Sequence, residues 1–268
     1  MFRTQLSFVW TLTLAGLVLL SGCSAPTVID KTVGMSPNDI YVEAKEVISA
    51  GAYDKGIVLL EKLEGRAAGT PLAQQAQIDK AYAHYKAQEP AQALATLDRF
   101  IKLNPASPVL DYAFYLKGII NFNEDLGLFS SITRQDLAER DQKAAKESFE
   151  AFKQLVTRFP ASKYASDAQL RMNYITNSLA QYEIYVAQYY FSRGAYIAAI
   201  NRAQSALSDF RDVPALEEAL FILVKSYDAL DLPQLRDDAK RVLVQNYPNS
   251  DYITQGFKPK SNPWWKLW

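Results

Sequence analysis

From Ser36 onward, apolar positions recur three and four residues apart, separated by Ala, Gln, Lys and Glu. That is the period of a helix with one buried face, and the alternation that marks a strand is absent. Glycine and proline fall almost entirely at the junctions. The pattern predicts an all-α chain of paired helices, A then B, joined by short turns.

The B helices share a signature. The second carries Leu94, Leu97, Phe100 and Ile101, then stops at Asn104-Pro105. The third carries Phe149, Phe152, Leu155 and Val156, then Phe159-Pro160. The fourth has Ile200, Ala203, Ala206 and Leu207 before Phe210, and the fifth Leu243 and Val244 before Tyr247-Pro248. The first has Ile57, Leu60 and Leu63 before Ala67-Ala68, without the aromatic or the proline. With Ala68, Pro105, Pro160, Arg211 and Pro248 taken as equivalent, the intervals are 37, 55, 51 and 37 residues. A tetratricopeptide repeat has a period of about 34. The expected fold is thus a tetratricopeptide-repeat superhelix of about five helix pairs, with repeats near 36–68, 70–105, 109–160, 162–211 and 214–248. The extra length of the third repeat reads as an inserted loop over 121–140. In the fourth, no Gly or Pro occurs between Ala161 and Arg193, which predicts one long A helix of about 30 residues, near 45 Å. Stacked units of this kind bury one another and leave an extended concave surface suited to peptides or helices.

The first 22 residues are different. Arg3 precedes an apolar run from Phe8 to Leu20, and Leu20-Ser21-Gly22 precedes the single cysteine, Cys23. That is a signal peptide, too short to span a membrane. The cut site resembles the lipobox of bacterial lipoproteins, in which the thiol takes a diacylglycerol and further acylation makes the anchor stable. Ser24 in place of an aspartate directs such proteins to the outer membrane. Residues 23–35 read as a lipidated linker. The mature chain would hold 28 basic and 29 acidic residues with no block of Lys or Arg, which argues against nucleic acid as a partner.

Little in the sequence announces catalysis. His84 is the only histidine and reads as a packing or surface residue. No His/Cys cluster has metal spacing, and no phosphate loop or nucleophile elbow occurs. The expectation is a non-enzymatic chain without metal or cofactor. Tyrosine carries the stronger signal: sixteen residues, many of them clustered. About half are expected in the core and the rest at binding faces, since tyrosine joins apolar area to a polar tip.

Three stretches bring a family into view. They are Arg99-Phe-Ile-Lys-Leu-Asn-Pro105 followed by Asp111-Tyr112 and Tyr115; Leu128-Phe129 with Glu139-Arg140-Asp141; and Leu179-Ala-Gln-Tyr-Glu183, Tyr189-Tyr190, Arg193-Gly-Ala-Tyr196 and Asn201-Arg202. Together with the lipobox and the five units, they resemble the BamD (ComL) family of outer-membrane β-barrel assembly lipoproteins. The resemblance implies a scaffold at the periplasmic face of the outer membrane. Its C-terminal repeats would hold BamA, alongside other assembly lipoproteins, and its N-terminal repeats would receive the signal strands of unfolded outer-membrane proteins. Where the family often has an aromatic-Pro-Phe-Gly run, this chain has Ala67-Ala68-Gly69-Thr70-Pro71. A different reading is a repeat lipoprotein that docks a cell-wall synthesis or division enzyme; it does not account for the run from Leu179 to Arg202.

Three sets of site residues follow. Tyr41, Lys45, Tyr53, Tyr82 and Tyr85 are expected to line a groove for extended peptides. Arg202, with Asn201, Arg193 and Tyr196, is expected to meet BamA. Arg202 lies two positions past the core residue Ile200, about 200° round the helix, so it faces away from the core. The segment 257–268 puts Trp264, Trp265 and Trp268 beside Lys258, Lys260 and Lys266. It reads as a docking segment for a membrane interface or a partner.

Overall fold

The computed structural model describes residues 30, 32–124 and 142–256. Lipidation at Cys23, the motifs at 128–129 and 139–141 and the tail residues Trp264, Trp265 and Trp268 lie outside these. The chain divides into two units, 1–36 and 37–268. In the first, the described residues form a turn in which the Thr32 amide and hydroxyl both donate to Asp30 Oδ1, at 3.0 and 2.7 Å.

Among the described residues of the second unit there are eleven helices and no strand. They are α1 (Pro37–Ser49), α2 (Tyr53–Arg66), α3 (Pro71–Lys86), α4 (Pro90–Leu103), α5 (Leu110–Glu124), α6 (Gln142–Arg158), α7 (Ala165–Ser192), α8 (Tyr196–Asp209), α9 (Leu216–Ala229), α10 (Pro233–Asn246) and α11 (Asp251–Gln255). Each of α1–α9 packs on the next, as in five helix pairs, and the short α11 packs on α9.

Four of the A-to-B turns use one backbone device. Gly51, Gln88, Gly194 and Asp231 take positive φ, and in each turn the next amide reaches back five residues (Ala52 to Val47, Glu89 to His84, Ala195 to Tyr190, Leu232 to Tyr227) at 2.9–3.0 Å. This satisfies carbonyls that a helix end leaves open. Glycine adopts the conformation freely; at Gln88 and Asp231 a side chain opposes it.

One correction concerns length. The insert was expected from Asn121, yet α5 continues to Glu124. Asn121 is buried, donating through Nδ2 to the Lys117 carbonyl one turn back, and Phe122 extends the apolar face. A polar letter satisfied within its own helix does not end that helix. The long A helix is α7, at 28 residues, starting after Ser162 accepts the Tyr164 amide in a turn. Its length has a packing reason. Ala168, Ile175 and Leu179 belong to a core built with α3–α6, and Ala180, Ile184 and Ala187 to a second core built with α8–α10. Helices α5 and α6 approach closely at Gly118: a Cβ there would lie 2.4 Å from the buried Phe152 ring.

Candidate functional site

The A helices α1, α3, α5 and α7 are joined by a run of tyrosines and carboxylates. On α1, the Tyr41 hydroxyl donates to Asp79 Oδ2 of α3 at 2.8 Å. Lys45 Nζ stands 3.4 Å from the other oxygen, and Gln75 Nε2 donates to it at 3.3 Å. Asp79 is buried, so these donors are what make its charge tolerable there. Burial, then the Asp79 carboxylate, raises the Tyr41 hydroxyl well above the ordinary phenol value.

The run continues on α5. Tyr112 is pushed up to about 12, first by burial and then by the neighbouring groups Tyr164, Tyr82, Asp79 and Tyr115. The Tyr112 and Tyr164 rings lie 5.4 Å apart, and Tyr115 stacks on Tyr164 at 4.6 Å. The Tyr115 hydroxyl donates to Asp167 Oδ2 of α7 at 2.8 Å, and Arg171 Nε donates to the same oxygen at 2.6 Å. Partial burial works to raise Asp167, but the hydrogen bonds from Arg171 and Tyr115 outweigh it and hold the carboxyl below its ordinary value. Arg171 also lies 5.0 Å over the Phe122 ring, which meets Tyr174 edge-on at 5.8 Å. Tyr174 is 49% exposed. Such a face presents rings and oriented polar tips.

A second face lies at the C-terminal end of α7 and on α8. Arg202 is exposed and donates from one guanidinium nitrogen to Glu183 Oε2 of α7 at 3.2 Å. Arg193 lies 5.2 Å over the Tyr189 ring. Tyr196 meets Phe191 edge-on at 5.4 Å, and Asn201 is exposed. Tyr189 and Ile197 add apolar surface, at 56% and 65% exposure.

The family described as outer membrane lipoprotein (YfiO) matches residues 34–242, which contain both faces. "Outer membrane protein assembly factor BamD" of Neisseria meningitidis is 42% identical over 93% of this chain and 95% of that one. The Vibrio cholerae protein of the same name is 35% identical over 87% of this chain and 98% of that one. The chain belongs to the BamD family. Among solved structures, the MamA protein aligns with a TM-score of 0.38 at 13% identity, over 83% of this chain and 97% of that one, too distant to carry weight. BamD proteins are named as assembly factors, not enzymes.

Within this BamD-family chain the sequence-derived residues fall unevenly. Tyr41 and Lys45 converge on Asp79. Tyr82 neighbours Tyr112, but both Tyr82 and Tyr85 also pack against the first core. Tyr53 opens α2, a B helix, half-buried. Sequence reasoning missed Asp79, Asp167, Arg171 and Phe122. Asp79 lies one turn from Tyr82, and Asp167 and Arg171 are four apart and precede Tyr174; those spacings were the available signal. About half the tyrosines were expected in the core, and nine of the sixteen are buried or pack against a core. Only Tyr227 and Tyr252 are buried, and Tyr174 and Tyr189 are exposed. The remaining tyrosines are half-buried, because a ring can pack while its hydroxyl finds a partner. His84 packs at the end of α3 with Nδ1 2.7 Å from Glu89.

Proposed function

We propose that this chain is a lipid-anchored scaffold of outer-membrane β-barrel assembly at the periplasmic face of the outer membrane. Cys23 carries the anchor. The face formed by α1, α3, α5 and the first half of α7 receives extended signal strands of unfolded outer-membrane proteins. The face of α7 and α8 around Arg202 holds BamA.

The observation that carries the strand reading is the run of tyrosine hydroxyls fixed on buried or half-buried carboxylates. Fixing them in the free protein lowers the entropy lost when a peptide is ordered on the face. Aromatic residues of a barrel strand then meet ring faces already in place. The Arg202 reading rests on exposure and chemistry. A guanidinium held by one nitrogen keeps donors for a carboxylate on a partner.

The test is fluorescence anisotropy of a labelled peptide copied from the last strand of a porin, titrated with the full chain. Tyr174→Ala should weaken binding several-fold, and Arg202→Ala should leave it unchanged. Unchanged affinity in Tyr174→Ala and in Lys45→Ala together would sink the placement.

A further inference from the structure

The last B helix is the odd one. Helix α2 packs between α1 and α3, α4 between α3 and α5, α6 between α5 and α7, and α8 between α7 and α9. Helix α10 has α9 on one side, and among the described residues the place of a following A helix holds only the five residues of α11. What remains is a cleft of about 390 Å³ between α9 and α10, edged by α11. Phe221, Leu243, Tyr252 and Ile253 give it an apolar floor, and Ile253 is 41% exposed. Lys225 and Lys240 stand at the rim with Asp228 and Asp237, both of which are bound by Arg236. Helix α11 ends at Gly256, whose φ of 76° turns the chain out of the helix.

The twelve residues that follow, 257–268, contain Phe257, Leu267 and three of the four tryptophans, with Lys258, Lys260 and Lys266 and no acidic residue. We infer that this segment folds back into the cleft and serves as the cap of the repeat stack. Three facts favour this occupant. The segment leaves α11 three residues past Ile253, at the edge of the cleft, so the local concentration is high and little chain is ordered to reach it. Its indoles match a cleft with an apolar floor and lysines at the rim, the arrangement that favours cation–π contact with Trp. The cleft presents Asp228 and Asp237 to a segment that has three lysines and no acidic residue. Terminal repeats need such a cover because each unit otherwise buries its apolar face on a neighbour. This inference is independent of the strand and BamA readings.

The remaining tryptophan is Trp10. Trp10 lies in the signal peptide, so in the chain from residue 23 onward every tryptophan falls within 257–268 and indole fluorescence reports on that segment alone. In dilute, lipid-free solution the emission should be blue-shifted and acrylamide quenching several-fold weaker than for the isolated peptide 257–268. Ile253→Asp should restore peptide-like quenching while circular dichroism shows the helices intact. Peptide-like quenching in the parent chain would overturn the inference. So would protection that appears only with phosphatidylglycerol vesicles, only at high protein concentration, or only with BamA added. Protection unaffected by Ile253→Asp and by Lys240→Glu would overturn the placement in this cleft.

Discussion

The α1–α3–α5–α7 face and the α7–α8 face are built from the same residue types and differ in how their charges are held. On the first, Asp79 is buried and takes donors from two helices. On the second, Arg202 is 45% exposed and meets Glu183 through a single nitrogen. Buried polar groups with several partners fix side chains before a ligand arrives. An exposed pair is worth little to the fold and is free to change partners. The first face is therefore suited to reading the shape of an extended chain, and the second to exchanging one carboxylate for another when a folded partner docks.

Charge reversal gives the largest expected contrast. Arg202→Glu should cost on the order of 2–5 kcal/mol of BamA binding, read by co-purification and titration. It also sets two carboxylates side by side, so the double variant Glu183→Arg/Arg202→Glu is the control. The swap restores the internal pair. Binding recovered by the swap would make Arg202 a structural residue; binding still lost keeps it at the interface.

Stability should show the reverse order. Asp79→Ala leaves the hydroxyl of half-buried Tyr41 without its acceptor and should lower stability by about 1–3 kcal/mol in urea unfolding. Arg202→Ala should change it by only a few tenths of a kcal/mol. Equal costs at the two sites would erase the distinction between the faces.

The smallest effect is alkaline. Tyr112 has its folded-state pKa raised from 10.0 to about 12, so it favours folding in its neutral form. Its contribution is complete below pH 10 and is lost as pH rises through about 12. Tyr112→Phe cannot ionise and should flatten part of the fall in urea midpoint over that window. A parallel fall in both proteins would remove Tyr112 from the linkage.

The helix pairs were legible because each B helix repeats its apolar spacing and all but the first stop at an aromatic or a proline. The end of α5 was misread because Asn121 looks like a turn residue, and only its bond to Lys117 shows otherwise. Tyr41 and Lys45 could be named as candidates from tyrosine enrichment and helix position. Their common partner Asp79, 38 residues from Tyr41, could not, since that contact depends on the register between two A helices. Glu183 was visible in the motif that carries the family likeness, but its bond to Arg202 depends on how α8 folds back along α7.

The most direct test of two faces with two duties is site-specific photocrosslinking in cells. A photoreactive residue is placed at Lys45 or Tyr174 on the first face, and at Arg193 or Asn201 on the second. All four positions are exposed at a third or more of their side-chain or residue surface, or lie at exposed sites. The first pair should capture newly exported outer-membrane proteins and the second BamA. Capture of BamA from 45 and 174, or of unfolded substrates from 193 and 201, would contradict the account.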